Sequence, residues 1–193
     1  HPETEGFIIA IQDQVINTLN YRKYIIKDRT ITTDKCRKCH ILSETIEHIT
    51  SGCKLLAATE YTNRHNNVAK IIHTAILNKQ QPNTIPQPYY KYQPDSVIDT
   101  QTFTLYYDRP VLTDKTIIAN RPDIVLVNKT EKTTYLIDIA IPNDHNIKNK
   151  YTEKTEKYTP LAEEIQRIWK QDKVKIVPVI LSVTGVIPQS LIH

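Results

Sequence analysis

Between residues 121 and 141 the chain carries its most apolar stretches. Ile124-Val125-Leu126-Val127 forms one run, and Tyr135-Leu136-Ile137-Asp138-Ile139-Ala140-Ile141 forms a second that ends before Pro142. Continuous apolar runs of this length, rich in β-branched residues, predict strands covered on both faces. The polar segment Asn128-Lys129-Thr130-Glu131-Lys132-Thr133 between them has hairpin length. Phe103 to Tyr107 and Thr116 to Ala119 read as short strands around an Asp108-Arg109-Pro110 turn, and Val174 to Val183 as a final strand.

Helical spacing appears in three other places. Residues 7 to 26, from Phe7, Ile8 and Ile9 to Ile25 and Ile26, predict a helix followed by an extended lead-in. From Leu56 to about Gln80, Ala58, Tyr61, His65, Val68, Ala69, Ile72 and Ile76 mark one face of an amphipathic helix packed on a sheet. A third helix covers about Lys148 to Tyr158; Pro160 either starts a second helix capped by Thr159 or kinks one long helix, with Leu161, Ile165, Ile168 and Trp169 carrying the stripe onward. Residues 80 to 100 hold four prolines and three tyrosines, a composition that excludes regular helix and central strand and predicts a connecting loop. The pattern is that of an α/β protein.

At 193 residues, with 39% apolar and 24% charged residues, the chain can bury one sizeable core and carry one small accessory module. No apolar run approaches the roughly 20 residues of a membrane span, and the N-terminus lacks a signal-peptide core, so no membrane partner is expected and the chain reads as intracellular. A start at His1 and the absence of Met are what a segment of a longer polypeptide would show. The net charge of +4 is weak support for a nucleic-acid partner, but Lys129, Lys132, Lys148, Lys150, Lys154 and Lys157 surround the two apolar runs of residues 124–127 and 135–141 in sequence, which would suit a polyanionic substrate.

All three cysteines lie in one window. Cys36-Arg37-Lys38-Cys39, His48 and Cys53 have the spacing C-x2-C-x8-H-x4-C, and thiolate and imidazole ligands at such spacing suit tetrahedral zinc. His40 competes with His48 but directly follows Cys39, leaving little loop to close the site. Four protein ligands leave no open position, so the expected Zn2+ is structural, in a knuckle spanning residues 34–56 that presents Arg37, Lys38 and Lys54 to nucleic acid.

The apolar strands carry two carboxylates. Asp123, after Arg121-Pro122, stands at the entry of the first, and Asp138 lies well along the second with fourteen residues between them. A carboxylate inside so apolar a run must be solvated by something, because an unpaired buried charge costs several kcal/mol or takes up a proton. Antiparallel pairing would bring the two side chains to one rim, a geometry that suits a divalent cation. On the third helix, Ile147, Tyr151, Lys154 and Tyr158 fall at spacings of four, three and four and so share a face, which turns Lys154 inward; Lys157 lies near the margin. Elsewhere Arg64 and His65 either touch phosphate or serve the helix surface and core. Glu60 either adds a carboxylate to a metal site or faces the helix dipole. Tyr89, Tyr90, Lys91 and Tyr92 interleave rings with charge in a manner that can grip single-stranded bases or pack the loop. Arg121 either meets phosphate or balances Asp123.

The order helix, strand, hairpin with P-D-x14-D, helix, strand resembles the PD-(D/E)xK restriction-endonuclease-like core, a mixed sheet flanked by helices. The zinc knuckle, Arg64-His65-Asn66, Arg121-Pro122-Asp123, Leu136-Ile137-Asp138-Ile139-Ala140 and Glu153-Lys154 to Lys157-Tyr158 together are similar to the C-terminal part of non-LTR retrotransposon polyproteins that carry such an endonuclease after a reverse transcriptase. The resemblance divides the chain into a lead-in (1–33), a CCHC zinc knuckle (34–56) and an endonuclease domain (57–193). It implies an upstream reverse transcriptase, element RNA and target DNA as partners, and work in the nucleus. Its nuclease would nick target DNA so that the 3′ hydroxyl primes reverse transcription. Asp123, Asp138 and the carbonyl of Ile139 would hold Mg2+ or Mn2+, with Lys154 and Tyr158 completing the catalytic group and Arg37, Lys38, Arg64, Arg121 and Lys157 meeting nucleic acid. The chain departs from the common motif at Ala140, where a lysine usually stands; the resemblance supplies it from the following helix, at Lys154 or, failing that, Lys157. The alternative is an inactive zinc-knuckle module that binds nucleic acid without cutting it.

Overall fold

A computed structural model describes residues 1–82 and 87–191. The part of the expected 80–100 loop at residues 83–86 lies outside the described residues. The chain divides into two compact units: residues 1–64, 141–147 and 181–193 in the first, and 65–140 and 148–180 in the second. This division falls after Arg64 rather than after residue 56, and it gives two later segments to the first unit.

The second unit is built on a five-stranded mixed sheet. β1 (Val97–Asp99), β2 (Phe103–Tyr107), β3 (Ile124–Asn128) and β4 (Thr133–Ala140) pair antiparallel in chain order, and β5 (Lys173–Ile180) adds parallel to β4. The parallel step needs a crossover. It is made by helix α5 (Ile147–Ile168), while helix α4 (Thr62–Gln80) precedes the sheet.

Period-2 alternation on β3 and β4 sends side chains to two separate cores. Val125, Val127 and Leu136 pack with Tyr158, Leu161, Ala162 and Ile165 of α5. Ile124, Leu126 and Ile137 point the other way and join Leu77, Ile72 and Ile76 of α4, together with Phe103 and Leu105 of β2. Covering both faces explains the uninterrupted apolar runs of the central hairpin. The buried α4 residues Ala69, His73 and Leu77 recur every four positions, as one helix face requires.

The structure corrects several expected elements. Thr116 to Ala119 is irregular rather than a strand, because β2 and β3 pair directly and leave no ladder edge between them; Ile117 and Ala119 pack on the α5-side core while Ile118 is fully exposed. β1, within the expected loop, is a three-residue edge strand. Three residues, none of them buried, are too few to give a periodic signal. Helix α5 runs continuously through Pro160, whose ring lies on the exposed side. β5 begins and ends earlier than expected, and its Pro178 is tolerated because the strand is at the sheet edge.

In the first unit, α1 (Pro2–Gln12) buries no residue, and the expected extended lead-in contains a second helix, α2 (Leu19–Tyr24), whose N-terminus is capped by Thr18 Oγ1 accepting from the Tyr21 amide at 3.2 Å. The knuckle segment continues through a π-helical turn (His48–Gly52), the single helical turn α3 (Lys54–Leu56) and a second π-helical turn (Ala57–Tyr61). Among the described residues no helix is long and apolar enough to cross a membrane.

Leu161 is fully buried in the α5-side core. Leu161→Ala is expected to cost about 2–5 kcal/mol, read as a lower urea midpoint at an unchanged slope.

Candidate functional site

The register Ile124 opposite Ile137 sets the preceding residue, Asp123, across from Asp138 at the mouth of the hairpin. Asp123 Oδ2 accepts a hydrogen bond from the Ile139 amide at 2.6 Å, which fixes the first carboxylate against the backbone of the strand that carries the second. Asp138 is buried. Its Oδ1 accepts from the Tyr158 hydroxyl at 2.5 Å, and its Oδ2 lies 2.6 Å from Lys154 Nζ. The lysine contact is an ion pair whose angles do not make a hydrogen bond, so Oδ2 remains without a hydrogen-bond donor. Of the two candidate lysines, Lys154 is the one that meets Asp138.

Tyr158 has no solvent exposure, and its hydroxyl also lies 3.1 Å from the Arg121 carbonyl. Burial, then the adjacent Asp138 carboxylate, pushes its phenol far above the ordinary range, so the group stays protonated and donates to Asp138. Lys157 turns to the other side of this ring: its Nζ donates to the Tyr158 oxygen at 3.0 Å and sits 4.6 Å from the ring centroid. Arg121 takes Asp108 as its carboxylate partner rather than Asp123, through two contacts of 2.8 Å.

One further residue enters from α4. His65 Nε2 lies 3.3 Å from Asp123 Oδ2, and His65, Asn66, Ala69, Tyr107, Asp108 and Asp123 line a cavity of about 170 Å³. Hydrogen bonding to Asp123 raises the imidazole above its usual value; burial opposes this and is outweighed, with Asn66 and the Ile139 backbone adding to the rise. Neither reading of His65 from sequence pointed to Asp123. The usable signal was its position one turn before Ala69 and two before His73 on the sheet-facing side of α4.

The chemistry of this donor set fits a hard divalent cation. It offers two carboxylates at one strand end, one of them with a buried oxygen that nothing hydrogen-bonds. The fixed cation Lys154 already compensates part of that charge.

In the first unit, Cys36, Cys39, His48 and Cys53 bring one ligand atom each to within 4.8 Å of one another, and all three cysteines are free thiols. Cys39 Sγ lies 3.3 Å from His48 Nε2, so His48 and not His40 faces the sulfurs; His40 sits exposed at φ 57° in the knuckle turn. Amides of Leu42 and Ile41 lower the Cys39 thiol to about 6, the behaviour of a sulfur prepared to ligate as thiolate. The cluster can bind zinc. Around it, Tyr61 Oη accepts from the Cys53 amide at 3.0 Å and lies 3.2 Å from the His48 carbonyl, tying two ligand residues to one ring.

The proposed nucleic-acid contacts have other partners in several cases. Arg37 holds buried Glu44 at 2.6 Å, and Arg64 donates to the Thr50 carbonyl at 2.7 Å while lying over the Tyr61 ring. Lys38, Lys54 and Lys157 are exposed, and so is Glu60. The chain matches no protein-family model, and no curated protein matches it.

Two outcomes test this geometry. Purified protein should carry about one equivalent of zinc, lost in Cys53→Ser, and chelation should reduce the folded content of residues 1–64 as read by amide hydrogen exchange. By NMR titration His65 should protonate above about 6.5 and fall back in Asp123→Asn. Because the folded value is raised, its contribution to stability is full below about 6.5 and fades as pH rises through the raised value.

Proposed function

We propose that the chain is a metal-dependent DNA endonuclease with a restriction-like PD-(D/E)xK core, derived from the C-terminal part of a non-LTR retrotransposon polyprotein. The observation that carries this reading is the convergence of Asp123, Asp138 and Lys154 at one strand end, with the lysine reaching in from α5 in place of the missing residue at Ala140. The element order α4, β2, β3, β4, α5, β5, with the short edge strand β1 between α4 and β2, supports it, as does the zinc-ligand cluster in the same chain.

In this reading Asp123, Asp138 and the Ile139 carbonyl would hold Mg2+ or Mn2+, which when bound would supply Lewis acidity for phosphodiester hydrolysis. Lys154 brings a positive charge to the site, where it orients the attacking water or stabilises charge building on the phosphate. Tyr158, donating to Asp138, keeps that carboxylate aimed. The zinc-binding unit contributes affinity for nucleic acid through exposed Lys38 and Lys54. Target DNA, element RNA and an upstream reverse transcriptase are the partners, and the nick primes reverse transcription in the nucleus.

Nicking of supercoiled plasmid with Mg2+ or Mn2+ tests the proposal. Wild-type protein should nick, and Asp138→Ala and Lys154→Ala should each lose at least about 100-fold in rate, a loss typical of removing a principal charge from a reaction centre, with DNA affinity nearly unchanged. Loss with Asp138→Ala alone moves the lysine's role to Lys157. DNA binding without cleavage by wild type under either ion replaces the enzyme with a binding module.

A further inference from the structure

On the α5 side of the sheet a second cavity of about 270 Å³ is lined by Val97, Tyr106, Arg109, Pro110, Leu112 and Trp169, together with buried Val111. Tyr106 and Trp169 stack at 6.1 Å between centroids with 30° between planes. That separation admits no ring between them, so a further planar group can only extend the stack from an outer face. Leu112 is 85% exposed at the rim. Arg109 is exposed as well and, among the described residues, has no carboxylate partner, whereas Arg121 and Arg167 both do.

We infer that this cavity is a binding site for a single unstacked nucleobase of a DNA strand, with Tyr106 and Trp169 as the stacking platform and Arg109 as the contact to its phosphate. Three observations select that occupant. The volume lies just under the roughly 300–1,000 Å³ of ordinary ligand pockets, which suits one planar ring. Aromatic faces beside an unpaired guanidinium are the chemistry that grips single-stranded nucleic acid, since every base offers a π-face and every linkage an anion. Finally, the cavity is joined to the candidate site through consecutive residues. Tyr106 precedes Tyr107 and Arg109 follows Asp108, and Tyr107 and Asp108 line the Asp123 cavity. Tyr106 packs on the α5-side core and Tyr107 on the α4-side core, so the two cavities open on opposite faces of β2. A strand that reached both would turn around the C-terminal end of β2 at Asp108 and Arg109, a turn that favours an unstacked base there. The inference rests on the nuclease reading only for the neighbouring site; base capture needs no cleavage.

Trp169 is the only tryptophan in the chain, so its emission reports this cavity alone. The full chain, in chelator-buffered zinc without magnesium or manganese, is titrated with a short oligothymidylate, with the same oligomer carrying abasic sites, and with a blunt duplex. Saturable quenching by the intact single strand is expected, with affinity roughly tenfold weaker for the abasic oligomer and for the duplex. Arg109→Ala, at an exposed bend, should weaken the single strand by a similar factor with an unchanged circular dichroism spectrum. Tyr106→Leu should reduce it too, at unchanged affinity for the duplex. Equal quenching by intact and abasic strands, or an Arg109→Ala titration that superimposes on wild type, overturns the base pocket. Nicking without quenching leaves the nuclease and removes this site; quenching without nicking does the reverse.

Discussion

The second unit is organised by the burial of one carboxylate. Asp138 is buried near the C-terminal end of β4 with apolar neighbours on either side along the strand, where an unpaired charge would cost several kcal/mol. Two groups from α5 answer that cost: the Lys154 ammonium and the Tyr158 hydroxyl, each within 2.6 Å of a different oxygen. Both lie on the stripe that continues into Leu161 and Ile165. The helix face that seals the core is therefore also the face that charges the site, and neither function can be moved without the other. Tyr158 carries this furthest, being fully buried apolar surface on its ring and a hydrogen-bond donor at its tip.

The first unit rests on a different economy. Its buried apolar residues, among those described, are Cys36, Ile46 and Cys53, with Thr18, Glu44, His48, Ser182 and Thr184 supplying the rest of its interior. So small an apolar core leaves hydrophobic burial a minor term, and ligation by the thiolates and His48 is the interaction able to hold the loops together. Glu44 extends that hold. Burial alone would push its carboxyl up, but the Arg37 guanidinium and the amides of Arg37 and Leu19 bring it below the usual range, linking the ligand turn to the start of α2. The glutamate's stabilising effect is present above the unfolded carboxyl value and is lost as acid protonates it.

How much of this was legible in the sequence depended on the range of the interaction. The ligand spacing C-x2-C-x8-H-x4-C is local, and it named the four clustered residues and preferred His48 over His40. The hairpin register follows from two apolar runs and a polar turn, and it set Asp123 opposite Asp138. Partners joined only by tertiary packing left no trace: nothing near His65 points to Asp123, and nothing near Arg121 points to Asp108. Weak elements were lost for the opposite reason. β1 is too short and too exposed to impose a period, and Thr116 to Ala119 alternates like a strand although the ladder has no place for one. Pro160 left two helices or one equally open, because packing of Leu161, Ala162 and Ile165 onto the sheet holds α5 continuous where propensity alone would break it.

The lysine shows why spacing within a strand is a poorer guide than periodicity across elements. Ala140 stands two residues after Asp138, on the same face of β4, and a lysine there would reach the carboxylate by sequence proximity alone. Lys154 is sixteen positions beyond Asp138 on a different element, yet its ammonium lies 2.6 Å from Oδ2. What fixes it is the helix phase: Lys154, Tyr158, Leu161 and Ile165 recur at four, three and four, so once the last three are buried against β3 and β4 the first must point the same way. Lys157 is displaced from that phase by three residues, and its ammonium accordingly meets the outer side of Tyr158 rather than Asp138. The position of the charge is set by which helix face is apolar.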